Sequence, residues 1–148
     1  MSYAAGETLI LTRVRACTGF SSSNTAQANW KIIGSGRDDC YAIIRAAETE
    51  PVSWQASNRM VIHWKTAIEV WQRLKDDGTS ATSLYNAVNN LLAIAAYPRL
   101  GDNTGTVQDA DIETIGIAEE MSRGDKAEWL RQTVTIGWYE VVPVTFAE

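Results

Sequence analysis

His63 is the only histidine in the 148-residue chain. General acid–base work, nucleophile activation and metal ligation at an imidazole each need a second group beside it. No serine or cysteine motif marks a partner nucleophile, and one histidine makes no His-rich metal site. A structural or surface role is the plainer reading, with no catalytic residue and no metal ligand assigned. Three carboxylates, Asp109, Asp111 and Glu113, recur at every second position, so a strand would set them on one face. They would spread over about 13 Å at the strand rise. That is too far to converge on one hard cation without ligands from elsewhere. They read as a solvated or partner-facing acidic strip. Asp76-Asp77-Gly78 opens like a calcium loop but lacks its later glutamate, which leaves a turn. Gly34-Ser35-Gly36 before Arg37 has no Walker lysine and no following helix pattern, so it reads as a flexible turn. Cys17 and Cys40 have no CxxC spacing and read as reduced thiols. No active site emerges, no cofactor is implied, and a non-enzyme is expected.

The element that must organise these residues is Asn58–Lys75. Met60, Ile62, Trp64, Thr66, Ile68 and Val70 fall on one side of its alternation. Val61, His63, Lys65, Ala67, Glu69, Trp71 and Arg73 fall on the other. That pattern predicts a strand buried on one face. Its length predicts that it projects beyond its sheet or bends, offering an edge to a neighbour. Before it, Ala5–Cys17 reads as a helix with Leu9, Ile10, Val14 and Cys17 in register, stopped by Gly19. Ser21–Thr25 is a polar connection that need not be ordered. Asn29–Ile33 (NWKII) and Cys40–Ala47 (CYAIIRAA) read as strands, and Thr49-Glu50-Pro51 breaks the second.

After the long strand, Thr79 or Ser80 caps a second helix with an apolar stripe of Leu84, Val88, Leu91, Leu92 and Ala95. Val107–Ala118 and Glu128–Val142 read as two further strands, with Glu119–Lys126 as a polar link. No internal repeat is visible. Short connections favour antiparallel pairing. The expectation is a single α+β domain spanning residues 1–148, two-layered, with a mainly antiparallel sheet of four to five strands and two helices packed on one face.

Composition narrows the class. Hydrophobic residues at 45% and charged ones at 21% are ordinary globular values. A net charge of −5 argues against a free-standing nucleic-acid binder. No apolar run is long enough to cross a bilayer, and the first residues lack the basic start of a secretory signal. Six tryptophans are more than one small core holds, so some are expected at interfaces.

The order of elements and several local phrases resemble the tail terminator (tail completion, minor tail protein U-like) proteins of long-tailed bacteriophages. The resemblance is carried by the short N-terminal helix, Asn29-Trp30-Lys31 ahead of the Tyr41–Arg45 strand (YAIIR), and the long strand reaching Glu69-Val70-Trp71. The Leu84–Ala95 helix running into Tyr97-Pro98-Arg99-Leu100 and the closing Trp129-Leu130 strand complete it. It implies a virion subunit that closes into a ring, hexameric in the family, on the head-proximal end of the tail tube. Such a ring ends tube polymerisation and gives the head's connector protein a joining surface. DNA passes through the channel without specific binding, and there is no cofactor, no turnover and no membrane. Under that resemblance Trp71, Arg73, Asp76 and Asp77 are the expected subunit contacts. Asp109, Asp111 and Glu113 line the channel, and the loops at Ser21–Thr25 and Gly101–Gly105 meet tube or connector. The competing readings are another phage neck or tube-like component, a monomeric peptide- or ligand-binding module walled by tryptophan, and an enzyme built on His63.

Overall fold

The computed structural model describes residues 3–36, 38–49, 53–56, 58–102, 104–122 and 127–143. In chain order these form α1 (Tyr3–Ala16), β1 (Thr25–Gln27), a 3-10 turn (Trp30–Ile32), β2 (Cys40–Thr49), β3 (Ser53–Ala56) and β4 (Arg59–Arg73). Then follow α2 (Ser80–Leu91), a 3-10 extension (Leu92–Ala96), β5 (Val107–Ile115), β6 (Glu119–Ser122) and β7 (Ala127–Pro143). The seven strands form one sheet of order β1-β2-β4-β7-β5. Strand β3 continues beside β4 where β2 ends, and β6 continues beside β7 where β5 ends. Only β1 against β2 is parallel. Two helices on a mainly antiparallel sheet is the expected α+β class.

The long strand does not project. All 15 residues of β4 face a residue of β7, from Arg59↔Pro143 to Arg73↔Trp129, and β2 and β3 close its other side. It lies inside the sheet because β7, 17 residues long, spans it on one side while β2 and β3 in succession flank the other. The same ladder relates two halves of the chain. Each half runs helix, outer strand, inner strand (α1, β2–β3, β4; then α2, β5–β6, β7), and the inner strands meet antiparallel about Thr66↔Ile136. This approximate two-fold exists in the path of the backbone and not in the residues.

The main core lies between the helices and the sheet. Ile10 and Val14 of α1 and Leu84, Val88 and Leu91 of α2 pack on Ala42, Ile44, Ile68, Val70, Val134, Ile136 and Trp138. Gly6 lets α1 rest on the Trp138 ring, where an added Cβ would fall 2.0 Å from a ring carbon. The apolar stripe of the second helix changes period at its end. Past Leu91 the backbone tightens to 3-10, so Ile94 is the next buried residue, while Leu92 is half-buried and Ala95 exposed.

The sheet's other face is not simply solvated at one end. Ile33, Tyr41, Ile43, Trp71 and Trp129 make a second, smaller core under the 3-10 turn. Full burial of each such aromatic is worth roughly 1.5–3 kcal/mol. Thus β4 is buried on both faces from Thr66 to Gln72, against the single buried face its alternation predicts. NWKII is a turn and not a strand. Ala28 takes a positive φ of 47°, Asn29 accepts a hydrogen bond from Lys31 N at 3.2 Å, and Ile33 drops into the second core. Of Glu119–Lys126, expected as a link, the stretch Glu119–Ser122 pairs with β7 instead. Several expectations reach outside the described residues: Glu50-Pro51 of the break, Arg37 after the glycine pair, the side chain of Trp54, Asn103 of the Gly101–Gly105 loop, and residues 123–126 of the polar link.

Candidate functional site

The two loops expected to meet tube or connector are each pinned by a single side chain. Asn24, between α1 and β1, donates to Gly19 O at 2.9 Å and Cys40 O at 3.1 Å and accepts from Ser21 N at 2.8 Å. Asp102 is buried and accepts from Thr104 N, Thr106 N, Val107 N and the Thr104 hydroxyl at 2.9–3.2 Å. Burial works against its charge, but these donors prevail and hold its carboxyl below the ordinary pKa. The two loops sit at opposite poles of the sheet. The first lies where Cys40 pairs with Gln72, the second where Val107 pairs with Glu140 beside Ile62. About ten residues of β4 separate them, roughly 33 Å at the strand rise. Beside the second loop lies an open cleft of about 300 Å³ lined by Arg59, Thr104, Gly105, Thr106, Gln108, Val141 and Pro143.

The expected contact residues are placed unevenly. Trp71 is buried in the second core, under Arg131 at 5.6 Å, and its indole N–H donates to Glu69 at 3.1 Å. Arg73 lies over the Trp129 ring at 4.7 Å and pairs with Asp39 at 3.4 Å. Lys75 completes that cluster, and its hydrogen bond to Asp39 at 2.7 Å holds the Asp39 carboxyl below its ordinary pKa. Asp76 is exposed, and Asp77 accepts from Thr79 N and Oγ1, fixing the turn into α2. Trp71 and Arg73 are therefore engaged within the subunit, and of the four only the turn acids stand clear of it.

The acidic strip is broken by the backbone. Bulges between Gln108 and Asp111 and between Ile112 and Thr114 interrupt the alternation, and Asp109 takes φ 52°. Asp111 pairs with Gly137, while Glu113, the extra residue of its bulge, lies over that glycine and reaches His63 Nε2 at 2.8 Å and Lys65 Nζ at 3.8 Å. A Cβ at Gly137 would occupy the Glu113 carboxylate's place. The His63 ring stacks on Tyr139 at 4.4 Å with 11° between planes, and both ring nitrogens are shielded from solvent. Spacing gives no sign of this histidine–carboxylate pair, since 50 residues separate its members and a bulge aims the acid. The pair, buried on the His63 side and partly exposed at Glu113, fastens β5 to the sheet centre. Among the described residues no three His, Cys, Asp or Glu side chains converge as a metal site, and no helix is long and apolar enough to cross a membrane.

Glu69 is a residue the sequence reading misses. Its buried carboxylate accepts the indole N–H of Trp30 at 2.7 Å and of Trp71, and pairs with the Arg45 guanidinium. Burial raises its pKa, but the three donors and the Arg45 charge outweigh that and hold it low. The available signal is an acid set between Ile68 and Val70 in a strand core, two residues before a tryptophan.

The lateral edges are unlike. The outer edge of β5 and β6 exposes Ile115 at 48% and Ile117 at 81% around Gly116, whose N–H is tied to Thr133 O at 2.8 Å. The opposite edge is the three-residue β1, flanked by the 3-10 turn with Trp30 37% exposed.

No family model matches the chain, and no curated protein is similar to it at a significant level. Among solved structures, one whose name states no activity aligns over 98% of this chain and 94% of its own at 16% identity, with a TM-score of 0.45. At that level the likeness says nothing about function.

Proposed function

We propose that this chain is a tail terminator subunit of a long-tailed bacteriophage, forming a ring that caps the tail tube and offers the head connector its joining surface. The observation that carries this reading is the unlikeness of the two lateral edges, one of which exposes Ile115 and Ile117. An exposed apolar pair on an open strand edge marks a surface meant to be covered. Unlike lateral surfaces meeting head to tail close into a ring when the rotation allows. The poles suit the rest of the role. Two loops held ready by Asn24 and Asp102, one at each end of the strands, suit two different partners, tube protein at one and connector protein at the other. Pre-ordered loops lose little entropy on docking. The tryptophan-walled binding module is disfavoured because Trp71, Trp129 and Trp138 are spent in the two cores.

The test is electron microscopy of tails assembled in lysates with and without this protein. Omission should give tails of uncontrolled length that carry no heads, and rings should be seen on the tube ends when it is restored. Uniform tails with heads attached in its absence would end the assignment.

A further inference from the structure

Resting on that ring reading, we infer which surfaces meet: the acidic β5–β6 edge of one subunit docks against the basic β1 edge of the next copy of this chain. Residues 107–122 carry five carboxylates (Asp109, Asp111, Glu113, Glu119 and Glu120) and no lysine or arginine. Glu113 is answered within the subunit by His63 and Lys65, and Glu119 lies 3.7 Å from Arg131, but Glu120 beside it is exposed. Exposed Ile117 stands two residues before Glu119. The opposite edge has the complementary charge. Arg15 reaches β1 from the helix side through Thr25 Oγ1 at 2.8 Å. Lys31 is exposed on the turn that follows β1, and Arg45, though paired with Glu69, stands where β1 stops covering β2 with 36% of its side chain exposed. The nearby acids Asp38 and Asp39 are at the pole, where Ser23, Arg73 and Lys75 hold them.

Each edge also presents one large apolar group to the other, Ile117 on the acidic side and Trp30 on the basic side. An apolar centre with a charged rim is the common anatomy of a protein interface. The charges fix its direction, because acidic meets acidic if two copies pair edge to like edge. Head-to-tail docking is the arrangement that a closed ring requires. The bulges of β5 make this a side-chain contact instead of a continued β-ladder.

The test uses the full-length protein and four variants, with sedimentation velocity for assembly and circular dichroism melts for folding. Glu119→Lys with Glu120→Lys, Lys31→Glu, and Ile117→Ser should each melt as the parent does and weaken ring formation at least tenfold. The fourth variant, carrying both charge reversals in one chain, should recover assembly to within about threefold of the parent. Folded variants that assemble unchanged, or a combined variant that stays as weak as its singles, would overturn the edge pairing while leaving the ring intact. A parent protein that stays monomeric on tail tubes would remove the ring reading itself.

Discussion

Glu69→Ala should unfasten the turn over the second core, and its cost follows from the carboxylate's three partners. The Trp71 indole N–H is buried, so losing its acceptor costs about 1–3 kcal/mol. Trp30 is partly exposed and water replaces its acceptor, so that bond contributes about 1 kcal/mol or less. Arg45 is about a third exposed, and its ion pair is discounted to about 0.5 kcal/mol. The total is about 3 kcal/mol, or about 6–12 °C in melting temperature for a domain of this length. Tryptophan fluorescence during urea unfolding reads it directly, because two of the three partners are indoles. Glu69→Gln keeps one acceptor oxygen and should lose about half as much. The pH dependence has a definite sign. The folded-state pKa lies below the ordinary carboxylate value, about 4.3. The stabilisation is therefore fully present above that value and disappears as the pH falls through the lower folded-state value. The gap between parent and Glu69→Ala should be full at pH 7 and narrow only below about pH 4. A gap under about 1 kcal/mol at pH 7, or one that persists undiminished at low pH, would refute the carboxylate's role.

Two further outcomes follow from the packing. Gly6→Ala gains about 1 kcal/mol of helix propensity but drives a Cβ to 2.0–2.7 Å from three ring carbons of buried Trp138. Overpacking of that kind costs about 1–3 kcal/mol. Chemical denaturation should show a net loss, and a gain would mean that α1 does not rest on that ring. The Cys40 thiol is pushed up to about 12 by burial, with Asp38 and Asp39 adding to it, and burial raises Cys17 as well. Iodoacetamide at pH 8 should label both cysteines only after unfolding, and rapid labelling of Cys40 in the folded protein would contradict its environment.

Local periodicity is enough to identify the elements whose burial follows it. Alternation gave β4 and β7, and the 3.6-residue period gave α1 and α2, because each of those segments turns a face to the core over much of its length. Class and antiparallel pairing followed from the short connections. Features that depend on contacts between distant residues are set in the folded chain alone. NWKII has strand composition, but Asn29 and the demands of the second core bend it into a turn. The acidic strip has strand spacing, but bulges in β5 turn Glu113 toward His63 and leave Asp109 in a positive-φ position. Trp71, expected as a subunit contact under the resemblance, is buried because that same turn covers it. In each case the local pattern states which faces a segment has, and a segment far away in the chain determines which of them meets water.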